Sequence, residues 1–156
     1  KSFEPAVREG HAMGIMAAYH DIDGVPCTGN PWLLNTVLRD EWGFQGFVLS
    51  ALGAIARLYN AHHVVDSPAG AVLLALNSGV DMQFYDFDHK DFEKSLDSAL
   101  ANNLISKSRL DSTTGDVLRV KFLLGLFDHP YTDTNLMLNV LHNQGQQRLA
   151  LQAAGE

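Results

Sequence analysis

A parallel α/β fold is what this sequence predicts, and two observations carry the expectation. Three short apolar runs, at 14–19, 47–50 and 79–84, are each too brief for a helix and read as strands buried on both faces. Helix-patterned segments lie between them, and strand follows strand after about 33 residues, the length of a βα unit. Three such strands do not make a closed (β/α)8 barrel, which needs eight strands and about 250 residues. Left open, they would expose unpaired edges and an uncovered face, so the sequence reads as a piece of something larger.

Each intervening element has its own signals. Asn30 is a good N-cap and Pro31 suits the first turn of a helix. Its apolar stripe is Leu33, Leu34, Val37, Leu38 and Trp42, with Gly43 as the stop. Ser67-Pro68 opens a second helix whose stripe includes Ala71, Leu74, Ala75 and Ser78, ended by Gly79. After Phe84, helical spacing continues through Phe92, Leu96, Ala99 and Leu100. Ser106 or Ser108 caps a further helix carrying Leu110, Val117, Val120 and Leu124, and Gly125 to Pro130 punctuate its end. Residues 132–143 look polar and linker-like, and 146–154 begin another helix.

Composition narrows the function classes. The 156 residues are 46% hydrophobic and 19% charged, with a net charge of −7. That profile fits a globular domain with a sizeable core and disfavours a nucleic-acid or anionic-membrane surface. No run approaches the roughly 18 apolar residues of a membrane span. The single Cys27 excludes an internal disulfide. No signal peptide is legible, and the chain opens at Lys1 in mid-pattern, which leaves room for an amino-terminal segment.

The chemistry should sit where the strands end. Gly46-Phe47-Val48-Leu49-Ser50-Ala51-Leu52-Gly53 reads as a buried strand delivering position 51 to a loop, and in an α/β barrel such strand ends face the active site. Alanine stands there, with no acid, base or nucleophile to offer.

The ordered motifs supply a context. Met16-Ala17-Ala18-Tyr19 is followed by Asp23-Gly24-Val25-Pro26. Then come Leu33-Leu34 and Val37-Leu38-Arg39-Asp40-Glu41-Trp42-Gly43-Phe44-Gln45-Gly46-Phe47-Val48. Ala75-Leu76-Asn77-Ser78-Gly79-Val80-Asp81-Met82, Arg119 to Phe127 and Gln147 to Ala154 complete the series. Together they resemble glycoside hydrolase family 3, the β-glucosidase and β-xylosidase family, over nearly the whole chain. The resemblance implies the carboxyl-terminal part of a (β/α)8 TIM-like barrel over residues 1–131. A linker over 132–145 and the first helix of an α/β-sandwich domain over 146–156 would follow. It also implies exo-acting, retaining hydrolysis of terminal β-linked glucose or xylose, glucose being favoured, with no metal or organic cofactor. The partners would be a β-linked oligosaccharide or glucoside and the remainder of the same polypeptide. The complete protein would be periplasmic or secreted.

In that family the strand motif ends Ser-Asp-Trp/Leu-Gly-Ala, and its aspartate is the nucleophile. Ser50-Ala51-Leu52-Gly53-Ala54 matches on both sides and fails at the nucleophile. A retaining glycosidase needs two carboxyl groups about 5–5.5 Å apart, and a methyl group cannot form the glycosyl-enzyme bond. By the same resemblance Tyr19 supports the nucleophile, while Met16, His20 and Leu52 line the sugar site. His20 stands where asparagine is common, and Leu52 replaces an aromatic platform found in many members. The acid/base carboxylate belongs to the second domain, beyond Glu156. Three explanations of Ala51 compete: deliberate removal of the nucleophile, natural loss in a carbohydrate-binding pseudo-enzyme, and error. The persistence of Met16, Tyr19, Ser50, Gly53 and Asp81 around it favours deliberate removal.

Other conspicuous residues read blandly. Asp81 is expected as a structural hydrogen-bond partner at the barrel mouth. His62-His63 lack a ligand cluster with metal spacing and read as solvated loop residues. Asp86, Asp88, His89 and Asp91 look like a polar loop capping the Phe92 helix, with aglycone contacts from Tyr85 or Phe87. Cys27 has no catalytic partner, and Trp32 and Trp42 are expected to pack helices.

Overall fold

The computed structural model describes residues 2–141 and 143–155. Lys1 and Glu156, the ends of the expected outer segments, and His142, inside the expected linker, lie outside the described residues. The chain divides into two compact units, Lys1–Lys121 and Phe122–Glu156.

The first unit begins with helix α1 (Phe3–Arg8) and strand β1 (Gly14–Ala17). A small antiparallel hairpin, β2 (Asp21–Ile22) and β3 (Val25–Pro26), follows. Its two-residue turn is Asp23-Gly24, both at positive φ (52° and 81°), the geometry for which Asp-Gly is favoured. A 3-10 turn (Cys27–Gly29) leads to the helix Trp32–Glu41, as Asn30 and Pro31 predict. Asn30 Oδ1 accepts the Leu33 N–H at 3.1 Å. The helix is nevertheless wound as a π-helix, its end marked by the Trp42 N–H donating to Val37 O at 3.0 Å. The apolar stripe gives no sign of that wider winding.

Strand β4 (Phe47–Ser50) lies parallel to β1 in the register Gly14–Phe47, Ile15–Val48, Met16–Leu49 and Ala17–Ser50. The entry to β4 requires glycine. A Cβ at Gly46 would sit 2.1 Å from Met13 O, because the two backbones join there through the Phe47 N–H to Met13 O bond. Helix α2 (Ala54–Asn60), which no local signal announces, follows β4, and α3 (Pro68–Ser78) is capped by Ser67 Oγ accepting the Gly70 N–H at 3.1 Å.

The third run departs from expectation. It forms a single parallel bridge, Leu49–Met82, rather than a strand over 79–84. Side chains take over the pairing on either side of the bridge. Asp81 Oδ2 accepts the Val48 N–H at 2.8 Å, and Ser50 Oγ accepts the Phe84 N–H at 2.8 Å. Burial is also one-sided. Ile15, Ala17, Val48 and Ser50 face the helices, where Leu34, Leu38, Ile55, Leu58, Ala71, Ala75 and Val80 build the main core. Met16, across the register from Leu49, is 55% exposed on the other face.

Helices α4 (His89–Ala101) and α5 (Lys107–Leu123) finish the unit, starting at Asp88, which caps Lys90, and at Ser106, whose Oγ accepts the Arg109 N–H. Val72, Leu76, Ala99 and Ile105 form a second apolar cluster there. Trp42 packs against the main core as expected, whereas Trp32 is exposed.

A buried ion network ties three elements together. Asp81 meets Arg39 at 2.5 Å and Arg109 at 3.4 Å, while Asp116 meets Arg39 at 3.1 Å and Arg119 at 2.8 Å. Burial pushes the Asp81 carboxyl above the ordinary carboxylate range, opposed by the Val48 N–H and the two guanidinium groups. Asp81 is therefore structural, but its partners are Val48 and, through Arg39, Gly46 O, at the amino end of β4. Asp81 thus lies toward the amino end of β4 and not at the expected mouth.

In the second unit, α6 (Thr134–Val140) occupies half of the stretch expected to be linker, 132–145. Asp133 caps it by accepting the Asn135 N–H at 2.9 Å, and Leu136, Met137 and Val140 supply helical spacing. Helix α7 (Gln144–Gly155) matches the expected last helix and buries none of its residues. Among the described residues no helix is long and apolar enough to cross a membrane.

Candidate active site

The carboxyl ends of β1 and β4 bring the expected residues together. The Ala51 N–H donates to Ala17 O at 3.2 Å, which extends the parallel pairing one residue beyond the strands. Tyr19 and Ala51 then line one open cavity of about 590 Å³, with Met16 and His20 beside them. Leu52 lies outside that lining, its side chain exposed. Its carbonyl, however, accepts the Tyr19 hydroxyl at 2.8 Å, so Tyr19 braces the turn that carries position 51. A smaller cavity of about 190 Å³, walled largely by apolar residues such as Leu33, Leu34, Leu38 and Trp42, also touches His20 and Cys27.

Tyr19 is itself held. The Arg57 guanidinium stands 4.9 Å from its ring centroid, and His62 Nε2 lies 3.0 Å from its carbonyl oxygen. The cation over the ring face is attracted by the aromatic quadrupole. His62 thus borders the site, a place its sequence context did not suggest. Among the described residues no three His, Cys, Asp or Glu side chains gather as a metal ion would need.

Asp86 joins the turn around position 51, a place its sequence context does not indicate. It was expected in a polar loop capping the Phe92 helix, a task that falls to Asp88. Asp86 instead accepts from Ser50 Oγ, from the Phe84 N–H, and from the N–H groups of Ile55 and Ala56. Its partners are at least thirty residues away in sequence apart from Phe84, so no local pattern could announce it. On the same loop Tyr85 is 80% exposed with φ of 52°, while Phe87 packs against both apolar clusters. Of the two aromatic residues expected to contact an aglycone, only Tyr85 stands free of the core.

Cys27 is buried, and burial first, then the nearby Asp21 charge, raises its thiol pKa. A thiol so placed is a poor nucleophile at neutral pH. The turn at position 51 can thus present a side chain to the cavity in a braced geometry, but the alanine there supplies no reacting atom.

Comparison with known proteins gives the arrangement a family. A periplasmic β-glucosidase of Salmonella typhimurium is 40% identical over 118 residues, covering 76% of this chain and 15% of that protein. A β-xylosidase of Formosa agariphila is 35% identical over 130 residues, covering 81% of this chain and 18% of that protein. The chain therefore spans less than a fifth of the length of these relatives. Among solved structures, a β-glucosidase from Erythrobacter marinus superposes with a TM-score of 0.86 at 32% identity, covering 95% of this chain and 19% of that one. The model described as Glycosyl hydrolase family 3 N terminal domain matches residues 1–120, and the chain belongs to that family.

Proposed function

We propose that this chain is the part of a retaining, exo-acting β-glycosidase that carries the nucleophile position, Ala51, and that the whole protein is a β-glucosidase. The observation that supports the reading is the meeting of Tyr19 and position 51 on one cavity, at the carboxyl ends of paired parallel strands, in a family 3 chain. In this reading residues 1–131 are the carboxyl-terminal part of a (β/α)8 barrel. Residues 132–145 form the connection, which includes α6, and 146–156 begin an α/β-sandwich domain. Met16 and His20 border the glycone, and Leu52 flanks the nucleophile position.

The reaction proceeds by two displacements. A carboxylate at position 51 attacks the anomeric carbon while an acid from the remainder of the polypeptide protonates the departing glycosidic oxygen. Water, deprotonated by that same group, then cleaves the glycosyl-enzyme ester. No metal or organic cofactor takes part. With alanine at 51 the first bond cannot form, so the chain as it stands is an inactive form whose nucleophile has been removed by design. The periplasmic relative supports a periplasmic or secreted site of action. The alanine itself favours a second reading, a natural pseudo-enzyme that binds β-linked sugars without turnover.

The test uses the full-length protein with an aryl β-glucoside and an aryl β-xyloside. Ala51→Asp should raise turnover by roughly three to six orders of magnitude, and the glucoside should be the better substrate. The alanine form should gain activity with azide, which fits beside the methyl group and attacks the anomeric carbon. An alanine form as fast as the aspartate form would remove position 51 from the mechanism. An aspartate codon in the source gene separates deliberate removal from natural loss.

A further inference from the structure

Asp86 lies on the loop that follows the Met82 bridge, and both of its carboxylate oxygens are committed. Oδ1 accepts the backbone N–H groups of Ile55 at 2.5 Å and Ala56 at 3.0 Å, in the first turn of α2. Oδ2 accepts the Ser50 hydroxyl at 2.7 Å and the Phe84 N–H at 3.2 Å. Ser50, fully buried as the last residue of β4, accepts that same Phe84 N–H, and the Gly53 N–H donates to Phe84 O at 3.1 Å. The turn from Ser50 to Ile55 is thus gripped at both ends by one carboxylate. Residue 51 sits inside the grip.

We propose that Asp86 is a positioning residue, which fixes where the side chain of residue 51 is presented to the cavity. The proposal rests on the reading of position 51 as the nucleophile position. The chemistry of the grip calls for an ionised carboxylate. All four contacts are donated to Asp86 and none is donated by it, so the amide of asparagine would turn its N–H groups toward other donors. The reaction is sensitive to the result, since a misplacement of about 1 Å at the reacting atoms can cost about a hundredfold in rate.

The experiment compares Asp86→Asn and Ser50→Ala in the full-length protein, in both the Ala51 and the Ala51→Asp backgrounds. In the aspartate background Asp86→Asn should lower kcat about a hundredfold and move KM by less than about threefold. Ser50→Ala, which removes one of the four contacts, should lower kcat less. In the alanine background the azide-supported rate should change by less than about threefold, because a diffusing anion does not depend on where the turn holds residue 51. Hydrogen exchange on peptides covering α2 should quicken, while peptides covering β1 stay unchanged.

A merely structural Asp86 would depress the azide reaction as much as the aspartate reaction, and that result overturns the proposal. So does an Ala51→Asp enzyme whose kcat is indifferent to Asp86→Asn. An Ala51→Asp protein with no activity would instead overturn the reading of position 51. Exchange at α2 would then decide the grip alone, faster exchange supporting it and unchanged exchange overturning it.

Discussion

Tyr19 does two jobs with one side chain. Its ring faces Arg57 and its hydroxyl holds Leu52 O, so the half-exposed residue fixes the turn that carries Ala51 while bordering the cavity. Tyr19→Phe keeps the ring and removes only the hydrogen bond, which is worth about 1 kcal/mol. In the full-length Ala51→Asp protein this change should lower kcat by up to about tenfold, with little loss of stability. Steady-state kinetics and a thermal melt check it. A Tyr19→Phe enzyme with unaltered kcat would make the hydroxyl a packing feature of the rim.

Among the elements, the π-helix, the segment around Met82 and α5 are joined below β4 by Arg39, Asp81, Arg109 and Asp116. Removing one member of a buried ion network leaves uncompensated charge and costs about 3–5 kcal/mol. Asp81→Ala should therefore lower the urea concentration at which this domain becomes protease-sensitive within the full-length protein. Any catalytic loss should follow only from the unfolded fraction. Lost activity with unchanged urea resistance would return Asp81 to the mouth of the site.

For the whole molecule, a strand edge and apolar side chains stand exposed. Among the described residues β1 pairs only with β4, Met16 and Phe3 stand exposed along the cavity beside it, and the second unit buries none of its residues. An unpaired strand edge beside apolar surface invites association. Residues 1–156 produced alone should self-associate or melt without a cooperative transition, as read by light scattering and calorimetry. A monodisperse monomer with one sharp transition would show that the described contacts suffice.

The sequence by itself determined whatever depends on near neighbours. Asn30 and Pro31, Ser67-Pro68 and Ser106 mark their helix starts because a cap bonds to an N–H within the next three residues. The apolar runs at 14–19 and 47–50 mark the strands Gly14–Ala17 and Phe47–Ser50 because a parallel sheet needs compact, continuous hydrophobic stretches. The ordered motifs were enough to indicate the family and to single out position 51 and Tyr19. Asp23-Gly24, which spells its hairpin turn, and Asp133, which caps α6 in the expected linker, are local signals of the same kind. Tertiary structure alone decided the rest. Helix α2 has its cap in Asp86, the third strand shrinks to one bridge because Asp81 and Ser50 take its neighbouring hydrogen bonds, and Asp81 is drawn to the amino end of β4 by Val48 and two arginines. These are bonds between side chains and backbone, or between charges, far apart in sequence. Which donor a carboxylate meets is set by the folded packing, not by its neighbours in the chain.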